Sequence, residues 1–223
     1  MQLRFLGHSA FEVKSSGGQT ILIDPYLDGN PLAAVKSDQI TADFIVVTHA
    51  HGDHLGDALK IARRCGSLLI CVYELGSYLA SKGFQTHNMH IGGAHDFAFG
   101  RAKLTIAWHG SQTPEGQYAG PAAGVMLWVD GSCIYHTGDT GLFYDMKLIG
   151  ELNRVDYLLL PIGDNYTMGI DDAVKAVELV RPRVAIPMHY NTFGLIEADP
   201  EVFADKVRAL GRECLVLQPG DTV

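Results

Sequence analysis

Residues 46–54 read VVTHAHGDH, and no other stretch constrains the chain as strongly. The apolar run FIVVT ends, and His49, His51, Asp53 and His54 follow within six positions. A solvated loop has no need of three imidazoles, and an apolar core has no room for them. A strand end is rigid, and the turn beyond it can aim several side chains at one point. His49 and His51 are two apart, so in extended backbone both point to the same side. That spacing lets both bind one ion, while Asp53 and His54 reach a neighbouring position.

One loop supplies too few ligands for a metal, so further donors are expected at later strand ends. LTIAWHGS ends a strand at His109, CIYHTGDT at Asp139 and VAIPMHYN at His189. Each follows an apolar run and precedes a turn, as His49 does. Imidazole and carboxylate donors without thiolate suit zinc, iron or manganese.

The rest of the chain reads as a frame for such a site. LRFLG, FEV, TILIDP and FIVVTH are short β-branched or aromatic runs separated by SSGG and DGNP turns. DALKIARRC predicts a helix with Ala58, Ile61, Ala62 and Cys65 on one face. SLLICV predicts a strand, and ELGSYLASKG a helix closed by Gly83. Strands return in DFAF, KLTIAW, GVMLWV and SCIYHT. The last part alternates YLLLPIG, DDAVKAVELV, VAIPMHY, PEVFADKVRAL and CLVLQPG as strand, helix, strand, helix, strand, with Asp171 the expected N-cap of the first helix. Two strand-rich blocks with interspersed helices point to a layered α/β sandwich, not a doubly wound sheet. No linker or repeat breaks the sequence, so residues 1–223 are expected to form one domain.

Composition narrows the partners. With 17 Lys and Arg against 25 Asp and Glu, the formal charge is −8, which argues against a nucleic-acid or membrane-surface binder. No run approaches the roughly 18 apolar residues of a membrane span, and MQLRFLGHSAF carries no signal-peptide pattern. Cys65, Cys71, Cys133 and Cys214 form no CxxC pair and fit a reduced compartment. A cytoplasmic protein acting on a small molecule is expected, with self-association left open.

The motif HxHxDH, a later His, an Asp in TGDT and a final His together resemble the metallo-β-lactamase superfamily. GHSAF, ILIDP, YHTGDTGLF and IPMHYNTF resemble its branch of small metal-dependent hydrolases, which is similar to a lactonase of phosphorylated ascorbate. The resemblance runs from residue 3 to residue 193. It implies an αββα sandwich with two divalent metal ions, Zn or Mn with Fe as a further choice, along one edge. By motif position, His49, His51 and His109 would bind the first ion. Asp53, His54 and His189 would bind the second, and Asp139 would bridge them. A metal-bridging hydroxide would then attack an ester, lactone or phosphoester, with Asp53 and His189 as catalytic residues. No cysteine stands where the zinc β-lactamases commonly carry a second-ion ligand, so β-lactam hydrolysis is not expected. An iron-dependent oxidoreductase and an RNA-processing nuclease are the alternatives within such a fold.

Other residues carry weaker signals. Asp24 in LIDP is either a turn former before Pro25 or, by the resemblance, a residue that orients metal ligands. His8 either packs at a strand end or lines the cleft. His136 is expected to be structural, and His87, His90 and His95 to be surface or packing residues. Tyr118 in the 110–124 segment, and Asn165, Tyr166 and Met168 in the 162–169 segment, either line the cleft as substrate contacts or belong to ordinary structural connections.

Overall fold

The computed structural model describes residues 1–223. The first sheet runs β1 (Gln2–Gly7), β2 (Ala10–Lys14), β3 (Thr20–Ile23), β4 (Phe44–Val46), β5 (Leu68–Val72) and β6 (Thr86–Met89), in that spatial order. The second contains β7 (Ala94–Phe97), β8 (Gly100–Ile106), β9 (Ala123–Val129), β10 (Ser132–His136), β11 (Tyr157–Pro161), β12 (Val184–Met188) and β13 (Glu213–Cys214), again in sequential order. Helices α1 (Gly52–Leu55), α2 (Ala58–Cys65) and α3 (Tyr73–Ser81) belong to the first half. The second half adds α4 (Met146–Leu152), α5 (Ile170–Val180) and α6 (Pro200–Ala209).

Alternation along the strands produces the layers. Ile134, Leu159 and Ile186 join a large buried cluster with Val125 of β9 and with Phe5 and Phe11 of the facing sheet. Tyr135, Leu158, Leu160 and Ala185, one residue over, join a second cluster with Met146, Val177 and Phe203 of α4, α5 and α6. Each fully buried Leu or Ile contributes about 1.5–3 kcal/mol to this arrangement. In α2, Ala58, Ile61 and Ala62 are buried on one face, and Gly66 closes the helix with φ +71°. The result is the expected αββα sandwich.

Some local expectations fail. Gly169, not Asp171, is the N-cap of α5; Asp171 lies in the first turn, where a carboxylate is still favoured by the helix dipole. Its side chain meets Lys206 instead of a backbone N–H. Of CLVLQPG only Cys214 is in regular strand pairing, and the tail turns back so that Val223 exchanges backbone hydrogen bonds with Leu3. The polar strand THNM (β6) and the helix MKLIGEL (α4) were not expected.

Strand direction decides where the site lies. β3 to β6 are parallel, and β1 runs with them because two antiparallel pairings separate it from β3. By the same reasoning β8 runs with β10 to β13. His8, Asp24, His49, His109, Asp139 and His189 all follow carboxyl ends of these co-directional strands. Backbone bonds from His189 N–H to His8 O (2.9 Å) and from Ala123 N–H to Thr48 O (3.1 Å) join the sheets at this edge.

Candidate metal centre

Three imidazoles converge first. His49 Nε2 lies 3.0 Å from His51 Nδ1, which lies 3.3 Å from His109 Nε2. Four-coordinate zinc holds imidazole nitrogens at about 2.0–2.1 Å, which sets tetrahedral neighbours about 3.3 Å apart. The trio therefore has the spacing of a ligand set. His49 sits just past β4, His51 is the N-cap of α1, and His109 ends the segment after β8. Burial and the neighbouring His54 hold His49 well below the usual imidazole range, so its lone pair is free for a metal.

A second group adjoins it. His8, Asp53, His54 and His189 bring one donor atom each within 4.8 Å of one another, as do His49, His54 and Asp139. Asp139 Oδ2 stands 3.2 Å from His54 Nε2, 3.0 Å from His189 Nε2 and 3.7 Å from His109 Nε2. This buried carboxylate is thus in reach of both groups. Asp53 Oδ2 is 3.6 Å from His189 Nε2 and 4.0 Å from His54 Nε2.

The buried atoms of this group are close but not hydrogen-bonded. His54 Nε2, both ring nitrogens of His189 and Asp139 Oδ1 lack a hydrogen-bond partner. Unpaired buried polar atoms are costly, yet here they gather around one point. Burial alone would lower His189, but Asp139 and Asp53 hold it up at about 9. His54 is likewise lifted above its ordinary range against burial, by Asp139 and Asp24. Burial would raise Asp139, yet His189 and His54 hold it well below the carboxylate range. In metal-free protein, protons on these two histidines supply the positive charge that the carboxylates demand. A donor set of five imidazoles and two carboxylates around such a point fits two divalent cations.

The surrounding residues fix which nitrogen is free. Asp24, fully buried, accepts from Thr48 N–H (2.8 Å), Thr48 Oγ1–H (2.6 Å) and His54 Nδ1–H (2.7 Å). Because Thr48 donates to Asp24, its oxygen accepts from His49 Nδ1–H at 3.1 Å. In the neutral rings that bind metal, one carboxylate therefore makes Nε2 the bare nitrogen on both His49 and His54. His8 is held from both sides, with Nδ1 2.9 Å from Thr192 Oγ1 and Nε2 3.2 Å from Asp53 Oδ2, to which the neutral ring donates from Nε2–H. That hydrogen bond commits the His8 proton, so His8 orients Asp53 and is not itself a ligand. Burial pushes His8 down to about 4, which keeps it neutral.

Backbone strain collects at these positions. His8 (φ +58°), Asp24 (φ +44°) and His189 (φ +54°) are left-handed without being glycine, a cost the surrounding structure must offset. Gly138, just before Asp139, has φ +63°, and a Cβ there would stand 2.5 Å from Ala123 O. Only glycine lets that turn pack so tightly.

The weaker expectations divide. His136 is buried and bridges Ser9 O (3.0 Å) and Gly138 N–H (3.1 Å), a structural role outside the donor cluster. The His87 and His95 rings pack tilted at 4.2 Å and His90 stacks on Tyr73 at 5.4 Å, and none of the three histidines joins a donor group. Tyr118, Asn165 and Tyr166 are exposed on loops at the metal edge. Met168 does not line a cleft. Its side chain is fully buried under α5, because Met168 N–H bonds to Thr140 O and turns the residue into the core. Thr48, Thr192, Tyr26 and Phe193 went unread, although Thr48 adjoins His49 and the others lie beside motif residues.

The beta-lactamase superfamily domain matches residues 2–189. A UPF0173 metal-dependent hydrolase of Carboxydothermus hydrogenoformans is 54% identical over 100% of this chain and 99% of its own. The chain belongs to the UPF0173 family of the beta-lactamase superfamily. A second UPF0173 relative, from Pelotomaculum thermopropionicum, is 50% identical over 100% of this chain and 99% of its own. Igni18, a solved metallo hydrolase of the archaeon Ignicoccus hospitalis, shares the fold with a TM-score of 0.92. It is 43% identical, covering 100% of this chain and 97% of that one. No helix of this UPF0173 chain is long and apolar enough to cross a membrane.

Proposed function

We propose that the chain is a dinuclear metal-dependent hydrolase of ester, lactone or phosphoester bonds. The observation that carries this reading is the convergence of seven donors around buried nitrogens that have no hydrogen-bond partner. The names of the UPF0173 relatives support the hydrolase class. His49, His51 and His109 would hold one ion, and Asp53, His54 and His189 the other, with Asp139 shared. Zinc or manganese, with iron a further choice, suits these donors. When bound, such ions lower the pKa of water and polarise the oxygen under attack.

The chain's own residues divide the remaining work. Asp53 retains 25% side-chain exposure, whereas Asp24 and Asp139 are buried. It is therefore the carboxylate that can meet water and substrate. Burial raises Asp53, but His189 and His8 bring it below the usual carboxylate range, so it faces water as an acceptor. In that role it orients the attacking water. His189 lies across from it and would steady the leaving group. In the net reaction, water oxygen bonds to the acyl carbon or phosphorus and the bond to the leaving oxygen breaks. One water proton ends on the leaving oxygen and the other is released with the acid product.

Elemental analysis of protein purified without chelator, followed by a panel of lactones, thioesters and phosphodiesters, tests the reading. About two ions per chain and chelator-sensitive cleavage are expected. Iron-loaded protein that consumes oxygen and cleaves nothing would replace hydrolysis with oxidation.

A further inference from the structure

The metal edge has a composition unlike the rest of the surface. Its loops are residues 8–9, 47–57, 90–93, 107–122, 137–145, 162–169 and 189–199, with the first part of the 24–43 connection, which then crosses to the opposite edge before β4. Lys36 is the only lysine or arginine in all of them, and its ammonium contacts Asp28 O at 3.2 Å. The nearest cations behind them are also engaged: Lys60 with Asp28 (2.7 Å) and Lys147 with Glu151 (3.8 Å). Arg63, Arg181, Arg183 and Arg212 instead close helices or precede strands at the opposite edge, and Arg64 is engaged with Ser37 O and Ile40 O of the 24–43 connection. Every ion pair of Asp53 and Asp139 is with a histidine.

The same edge gathers exposed aromatic rings. Tyr73, Trp108, Tyr118, Tyr144, Tyr166 and Phe193 are exposed, and all lie in these loops or in the first turn of α3. Trp108, 64% exposed, directly precedes His109, and its N–H bonds to Thr140 Oγ1 beside Asp139. On the other side, the rings of Phe193 and Tyr26 stand 5.4 and 5.8 Å from the ring of His8, which holds Asp53. Exposed apolar groups clustered at a polar centre mark a binding surface.

Resting on the hydrolase reading above, we infer that the substrate is an uncharged ester or lactone carrying an apolar or aromatic group. A phosphate or carboxylate away from the scissile bond is most often held by arginine or lysine, and at this edge Lys36 and Lys147 are already engaged with Asp28 O and with Glu151 and Tyr144.

The test compares phenyl butyrate with phenyl hemisuccinate, equal in length but anionic at its far end, and with diphenyl phosphate, on the metal-loaded protein. The neutral ester is expected to lead in kcat/KM by at least about tenfold, the scale of one apolar contact in a pocket. Added salt should raise the hemisuccinate rate by screening repulsion and leave butyrate unchanged. Independently of turnover, phenylacetamide should quench Trp108 fluorescence, with Trp108→Phe as the control for Trp128. Phe193→Ala should weaken that binding about tenfold, whereas Phe193→Leu, which keeps apolar bulk, should retain most of it. Equal or faster cleavage of either anion overturns the inference and leaves the hydrolase reading in place. Binding of phenylacetamide without cleavage of any ester sinks the hydrolase reading and leaves the selectivity standing.

Discussion

Replacing Asp24 by Asn tests the site where it is most specific, because Asp24 touches no proposed metal position. The carboxylate faces three donors: Thr48 N–H, Thr48 Oγ1–H and His54 Nδ1–H. An amide has one oxygen and one NH2. If the oxygen stays on Thr48 N–H, the NH2 meets His54 Nδ1–H; the other rotamer puts the NH2 against Thr48 N–H. In the first case the clash is relieved when His54 moves its proton to Nε2, the nitrogen proposed to bind metal. The NH2 also donates to Thr48 Oγ1, freeing that hydroxyl to donate to His49 Nδ1 and shift the His49 proton as well. Loss of such an orienting partner costs about 10–100-fold in metal affinity, or about 1.4–2.7 kcal/mol. Both ions should weaken, because one carboxylate serves both histidines. Thr48→Val removes only the His49 branch and should weaken the first ion alone. Titration against a metal-buffering chelator measures each affinity, with circular dichroism to verify the fold. Two affinities within threefold of wild type in Asp24→Asn would refute the tautomer reasoning.

Three further outcomes are expected. Asp139→Asn should lose metal at one or both positions and at least about tenfold in activity, more than Asp24→Asn, by analogy with the smaller losses from orienting partners; full occupancy with near-normal turnover would remove Asp139 as the shared ligand. Chelation should abolish hydrolysis but keep the circular dichroism near native, since the sandwich has its own core; a melting temperature lowered by about 10–20 °C is expected for two ions each held near 100 times Kd, and complete unfolding would contradict it. In metal-free protein, Asp139 and Asp53 hold His189 up at about 9 against burial, above an unfolded value of about 6.5. That contribution is complete below about pH 6.5 and is lost as pH rises through about 9. Metal-free protein should therefore melt at a lower temperature at pH 9.5 than at pH 6.5, as calorimetry can measure, and a rise would overturn the assignment.

The donors were readable in the sequence because each follows an apolar run at a strand end, a pattern that needs no knowledge of partners. Their supports were not, because they depend on register. Asp24 can reach Thr48 only because β3 pairs β4 with Ile23 beside Val46, which brings the residues after both strands together. His8 is a lone histidine until the irregular β1–β2 pairing, with its shift between Phe5 and Gly7, turns it toward Asp53. Met168 shows the converse: a loop residue by sequence, it is drawn into the core by a backbone bond to Thr140. β6 carries little apolar pattern because Thr86, His87 and Asn88 lie on a partly exposed edge strand, where burial does not select side chains by face. The aromatic rings were hidden for the same reason as the supports. Trp108, Tyr144 and Phe193 lie far apart in sequence, and only the common direction of β8, β10 and β12 gathers them. The proposed ligands are thus a local property of strand ends, whereas the tautomers and the proposed substrate selectivity depend on the pairing of strands. A substitution that shifts the β3–β4 register should therefore disable both ions without altering a single ligand.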